Sequence, residues 1–231
     1  ALTNIGFVKS EADNCVFYRR GVIFMFYVDD GLFFAKDNKD IDKAIRDLRN
    51  ARKAKRKLIL EDQGDIKDYL GINFERTPDG KVKLTQPQII DDILEELGID
   101  EHWTAKQVAA SSSKILHRDK SAKEAKFEFN YRKVIGKLNF LEKCTRPDIA
   151  YAVHQCARFC EDPRESHVEA LMYLGRYLKG TRNQGIILDP DVTQSLAVWA
   201  DADFSGNWVR KTAELDPSTA KSRSGFMIML S

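Results

Sequence analysis

Phe24-Met25-Phe26-Tyr27-Val28-Asp29-Asp30-Gly31-Leu32-Phe33-Phe34 is the stretch on which the reading of this chain turns. Its flanks, Val22 to Phe26 and Gly31 to Ala35, are short, apolar and rich in β-branched and aromatic residues, which is the pattern of strands. The spacing predicts a hairpin with Asp29 and Asp30 at its tip. Adjacent carboxylates repel each other and supply turn geometry less well than Asn-Gly or Asp-Gly would. A divalent cation would remove that repulsion, and hard oxygen ligands suit Mg²⁺ shared with the phosphate oxygens of a substrate. Acidic pairs are also ordinary in solvated turns, so the two residues alone leave both readings open.

Working outward, Cys15 to Tyr18 reads as a short strand that turns at Arg19-Arg20-Gly21 into the strand leading to Tyr27. Beyond the hairpin, Asp37 or Asn38 is placed to cap a helix whose apolar positions Ile41, Ile45 and Leu48 recur with helical spacing. That helix runs into a basic cluster, Arg49, Arg52, Lys53, Lys55, Arg56 and Lys57, which reads equally as a phosphate contact or as a solvated face. Alternation on both sides of Pro78-Asp79-Gly80 predicts a second hairpin, and Gly71 inside its first arm suggests a bulge or a close backbone approach.

From Pro87 the period becomes helical, with Ile89, Ile90, Ile93, Leu94 and Leu97 forming a stripe closed by Gly98. Residues 100–130 are polar and read as a loop. Two longer helices follow, from about Tyr131 to Cys160 with a break near Pro147, and from about Ser166 to Leu178. Arg132, Lys133, Lys137, Lys143, Arg146, Arg158, Arg176 and Lys179 bias this region toward one basic face, suited to a duplex.

The 231 residues, 43% of them hydrophobic, suffice for a buried core in more than one packing unit and exclude a disordered chain. A net charge of +2 means that affinity for nucleic acid would have to come from where the cations lie, not from their excess. No apolar run is long enough for a membrane span and no secretory leader is visible, so the expectation is a soluble intracellular protein with no membrane partner. Cys15, Cys144, Cys156 and Cys160 lack zinc-ribbon spacing and read as reduced thiols. His154, Cys156 and Cys160 fall close together on a helix, and buried structural thiols are the commoner use of such a pair than a metal site. Both ends of the chain read as cuts through a longer protein.

Motifs spread along nearly the whole chain resemble the reverse transcriptase of copia-type LTR retrotransposons, from the second half of its palm into RNase H. They are Gly6-Phe7, Phe26-Tyr27-Val28-Asp29-Asp30, Asp68-Tyr69-Leu70-Gly71-Ile72, Leu84-Thr85-Gln86-Pro87 and Tyr131-Arg132 with Val134-Ile135-Gly136-Lys137-Leu138. They continue with Thr145-Arg146-Pro147-Asp148-Ile149-Ala150-Tyr151-Ala152-Val153, Arg176-Tyr177-Leu178-Lys179-Gly180-Thr181 and Asp201-Ala202-Asp203.

The resemblance implies an α+β fragment in three parts: a partial polymerase palm of antiparallel hairpins and a helix over 1–84, a helical thumb and connection over 85–183, and a truncated RNase H-like strand pair over 184–231. It implies Asp29 and Asp30 as catalytic metal ligands for Mg²⁺, with Mn²⁺ as the alternative ion. Tyr27 and Val28 would lie beside the nucleotide and primer end, and Leu70 and Gly71 would form a primer grip. Asp201 matches the first metal ligand of RNase H, at the end of a strand. The implied partners are an RNA template, a DNA primer or RNA–DNA hybrid, dNTPs, and the protease and integrase parts of the Pol polyprotein. The implied location is a cytoplasmic virus-like particle, with the product complex entering the nucleus.

The chain departs from a complete enzyme of that kind. The strand with the other palm Asp is expected upstream of Ala1, and further RNase H carboxylates beyond Ser231, so the segment alone is expected to be inactive. Glu61 precedes Asp62-Gln63-Gly64 where many family members carry Lys. The alternative is a non-catalytic nucleic-acid-binding remnant of a decayed or domesticated element.

Overall fold

Val22, Phe24 and Phe26 alternate along one strand and all reach one apolar cluster, with Phe7, Phe17 and Ala44. That alternation is what commits the first unit to a half-buried antiparallel sheet. In the computed structural model the described residues are 2–51, 60–111, 116–118, 126–189, 196–211, 213–214 and 216–229. Contacts divide the chain into two units, residues 1–69 and 70–231. Among the described residues there are five α-helices and several antiparallel pairings, an α+β fold as the sequence implies.

The first unit is a four-stranded meander in the order β1 (Val8–Lys9), β2 (Val16–Arg19), β3 (Val22–Tyr27) and β4 (Asp30–Phe34). Arg20 and Gly21, at φ +44° and +80°, make the tight turn between β2 and β3. The core face is aromatic: Phe24 stacks on Phe33 with centroids 4.3 Å apart and meets Phe7 edge-on at 6.3 Å. A Cβ on Gly31 would lie 2.8 Å from the Phe24 ring, so that ring needs a glycine across from it. Helix α1 (Asn38–Arg49) covers this face with Ala44, its N-terminus capped by Asp37, whose carboxylate accepts from the Lys39 amide at 2.9 Å. Arg19 on β2 pairs with Asp47 of α1 and lies over the Phe7 ring. In the basic cluster after α1, Arg49 donates to the Leu60 carbonyl at 3.2 Å, and residues 52–57 lie outside the described residues.

The second unit begins with the expected hairpin, β6 (Ile72–Arg76) and β7 (Val82–Thr85), which follows the two-residue β5 (Asp68–Tyr69). Gly71 is not a bulge. Leu70 and Gly71 have consecutive positive φ of 51° and 76°, the signature of a tight type I′ turn, so the arm read as one strand is two. Strand β7 pairs on its other edge with β8 (Ile186–Leu188). Residues 186–188, expected to open the third part, thus belong to the sheet of the second hairpin. Gly185 permits this pairing: a Cβ there would lie 1.9 Å from the Leu84 carbonyl oxygen.

Helices α2 (Pro87–Glu96), α3 (Tyr131–Cys144), α4 (Ala150–Ala157) and α5 (Glu165–Gly180) enclose the main core. Ile90, Ile93, Val134, Leu141, Val153, Leu171, Leu174 and Leu178 are fully buried there. Their period of 3.6 places each stripe inward, and Pro147 ends α3 as expected through a short 3₁₀ turn, Pro147–Ile149. Of the loop over 100–130, residues 112–115 and 119–125 lie outside the described residues. β9 (Ala197–Asp203) and β10 (Arg223–Met229) form an antiparallel pair whose two faces both expose apolar side chains, among them Val198, Trp199, Phe226 and Met227.

His167 on α5 is buried and stacked on Phe159 at 3.7 Å. Its Nδ1 accepts from the Arg164 amide at 2.9 Å, so its Nε2 carries the proton and donates to the His117 carbonyl at 3.1 Å. Burial holds its ionisation below the ordinary histidine value. The unfolded chain therefore takes up a proton at higher pH than the folded one. The neutral ring's contribution is complete above the ordinary value of about 6.5 and is lost as pH falls below it. The thermal midpoint is expected to fall on acidification from about pH 7 to 5, and His167→Phe to flatten that fall. An unchanged slope in the variant would assign it to another group.

Candidate functional site

Tyr27 pairs directly with Asp30, leaving Val28 and Asp29 as a two-residue turn. Val28 sits at φ +54°, a conformation ordinarily taken by Gly and sterically unfavourable for a β-branched side chain. Strain of that kind costs about 1–3 kcal/mol and persists where the surroundings enforce it. Here the aromatic core beneath β3 and β4 fixes the register, and the register fixes the turn.

Strand alternation sends Tyr27 to the face opposite the Phe24 and Phe26 core, and Asp30, its cross-strand partner, shares that face. Asp29 and Asp30 are exposed, and Tyr27 and Val28 are 59% and 78% exposed. Neither carboxylate accepts a hydrogen bond from a described residue, so both are open to a ligand. Two exposed hard oxygen donors fit part of the shell of Mg²⁺ or Mn²⁺. Among the described residues no group of three or more acidic, His or Cys side chains is assembled for a metal, so the rest of such a shell has to come from elsewhere.

Tyr69, which lies in the Asp68-to-Ile72 motif but is not among the predicted site residues, belongs to the same unit. Its hydroxyl oxygen is buried and has no partner among the described residues. Its ionisation is raised first by burial and then by the charges of Asp30 and Cys15. Nothing in its position after Asp68 signals this; only the fold brings the ring to the carboxylate.

The other predicted site residues stand in the second unit. Leu70 and Gly71 form the tight turn already described. Asp201 does not end its strand: β9 continues to Asp203, with Asp201 exposed and paired with Gly225. Cys156 is buried, and His154 contacts Glu142 at 3.2 Å, not the thiols.

The single basic face expected on the helices is largely used within the fold. Lys133 and Lys137 both pair with Glu96, at 2.7 and 3.1 Å. Arg158 pairs with Asp216 at 3.0 Å, and Arg176 donates to the Thr104 carbonyl at 2.7 Å while lying over the Trp103 ring. The Lys179 ammonium donates to three carbonyls, of Asp100, Glu101 and Trp103. Arg146 is 1% exposed. Only Arg132 and Lys143 of the eight have no hydrogen-bond or ion-pair partner among the described residues. The reason is geometric: a helix that packs on neighbours turns some of its cations onto their carbonyl ends and carboxylates.

The chain is 34% identical over 213 residues to the retrovirus-related Pol polyprotein from transposon RE1 of Arabidopsis thaliana, covering 89% of this chain and 14% of that protein. It is 33% identical over 214 residues to the corresponding polyprotein from transposon RE2 of the same plant, covering 89% and 14%. To that from transposon TNT 1-94 of Nicotiana tabacum it is 30% identical over 242 residues, covering 97% and 16%. The chain thus spans a small part of the length of these relatives. No family model and no solved structure matches it.

Proposed function

We propose, from the premise that the chain is homologous to a segment of transposon Pol polyproteins, that it carries the catalytic hairpin of a copia-type reverse transcriptase. The observation that supports the reading most is the tight turn that exposes Asp29 and Asp30 beside Tyr27, in a chain of that ancestry. Asp29 and Asp30 hold Mg²⁺, or Mn²⁺ in its place. Bound there, the ion supplies charge neutralisation and polarises phosphate oxygens during nucleotidyl transfer. Tyr27 offers its exposed ring to the sugar and base at the primer end, and Val28 shapes the turn beneath them. The Leu70-Gly71 turn offers backbone amides to the primer strand.

In the same reading the substrates are dNTPs and a primer on an RNA or DNA template. Asp201 contributes one carboxylate to an RNase H site that other residues complete. The working protein is the Pol polyprotein with its protease and integrase, in a cytoplasmic particle whose product complex enters the nucleus. No helix among the described residues is long and apolar enough to cross a membrane.

The test is template-directed primer extension by the Pol protein that carries this segment, with Mg²⁺ supplied and withheld. Mg²⁺-dependent incorporation on an RNA template is the expected result. Salt-sensitive binding to an RNA–DNA duplex with no incorporation at any Mg²⁺ or Mn²⁺ concentration would replace it with the reading of a binding remnant.

A further inference from the structure

A cleft of about 720 Å³ opens between α4, α5 and the segment that follows α2, and no residue assigned above to catalysis is among its described lining. The sequence dictates its walls. On α4, Tyr151 and Ala152 precede Gln155 and Cys156 by one helical turn, and on α5, Val168 and Glu169 precede Met172 and Tyr173 by the same spacing. Two mostly apolar and aromatic rows therefore face one trough, which Trp103 also lines. Its volume lies within the range of preformed ligand sites, roughly 300–1,000 Å³.

Its aromatic rings are open. Tyr151 is 56% exposed and Trp103 39% exposed, although a ring on a packed helix gains by being covered. Cations attend them. Arg176 lies over the Trp103 ring at 5.7 Å, Lys106 over the Tyr173 ring at 5.0 Å, and Lys126 stands on the cleft lining with no hydrogen-bond or ion-pair partner among the described residues, while two carboxylates, Glu165 and Glu169, each already engaged, share the α5 side of the lining. Exposed aromatic faces bordered by cations accept a planar ring that carries an anion. An unstacked nucleotide has both: any base stacks on an aromatic face, and its phosphate seeks Arg or Lys.

We propose that this cleft binds an unpaired nucleotide of a single-stranded nucleic acid, its base stacked on Tyr151 and its phosphate toward Lys126 and Arg176. The assignment rests on the reading of the chain as part of a nucleic-acid polymerase. It adds a contact for strand not in duplex, distinct from the Asp29 and Asp30 hairpin. Stacking tolerates all four bases, so the site holds strand without selecting sequence.

The experiment uses the intact chain and a fluorescently labelled oligo(dT), with a labelled RNA–DNA duplex as the second probe, followed by polarisation. Tyr151→Ala is expected to weaken oligo(dT) binding roughly tenfold and leave duplex binding unchanged, whereas Tyr151→Phe, which keeps the ring, binds as the parent does. Lys126→Ala is expected to lower the salt dependence of oligo(dT) binding. Equal oligo(dT) affinity in the Ala and Phe variants would overturn the proposal. So would an apolar dye that fills the cleft and is not displaced by oligo(dT), since the occupant would then be apolar. Primer extension by the Pol protein is read in parallel. Intact extension with no Tyr151 effect refutes this inference alone, and absent extension refutes the polymerase reading on which it rests.

Discussion

Asp29→Asn, made in the Pol protein that carries this segment, is expected to lower dNTP incorporation by about a thousandfold or more, equivalent to about 4 kcal/mol of lost transition-state stabilisation. Asn keeps the size of the side chain and is at home in tight turns, so the pairing of Tyr27 with Asp30 should survive. What it removes is half of the negative charge on which a cation would sit. Duplex affinity depends on cations meeting phosphates and should change little. Thermal stability should hold or rise slightly, because two adjacent carboxylates with no hydrogen-bond partner among the described residues repel each other wherever no cation neutralises them. Loss of incorporation with unchanged unfolding and unchanged duplex binding would mark Asp29 as a ligand. Retained incorporation in a folded variant would sink that role, and loss of all three properties would make the turn structural.

The parts of this fold that could be read in advance are those where one local rule acts alone. The alternation of Val22, Phe24 and Phe26, the Asp37 cap and the stripe from Ile89 to Leu97 each carry their own period or chemistry. The hairpin tip was legible for the same reason, since two strands with a two-residue gap leave no other place for Asp29. Gly71 was misread because a glycine within an alternating run signals a bulge and a turn equally, and only the positive φ of Leu70 separates them. The partner of β8 was hidden by distance: a three-residue strand pairs with β7 across about a hundred residues, and no local period encodes that choice. The basic face was overcounted because charge in a sequence has no direction. Lys133 and Lys137 look like a phosphate grip until Glu96 of α2 is placed against them.

Arg146 is the sharpest case, and Arg146→Ala is expected to cost the chain about 2–3 kcal/mol of unfolding free energy, read from denaturant midpoints, less than a fully buried pair because Asp148 stays in reach of water. The guanidinium grips Asp148 with two bonds, at 2.9 and 2.8 Å, and reaches the end of α5 through the Thr181 carbonyl at 2.9 Å and hydroxyl at 2.8 Å. It also lies over the Tyr177 ring at 5.4 Å, while the Tyr177 hydroxyl donates to Asp148 at 2.8 Å. One side chain thereby ties the break after α3 to the last turn of α5. Burial pushes the Asp148 carboxyl up, yet the hydrogen bonds from Arg146 and Tyr177 overcome it and hold the group below its ordinary value. That stability is present above the ordinary Asp range and is lost as pH falls through the lowered value, so Arg146→Ala should also flatten the acid limb. Lysine cannot reproduce the planar fork, and Arg146→Lys should recover only part of the loss. If Arg146→Ala instead left the midpoint in place and removed duplex affinity, the cation would belong to the nucleic acid after all, and the buried network would be incidental to the fold.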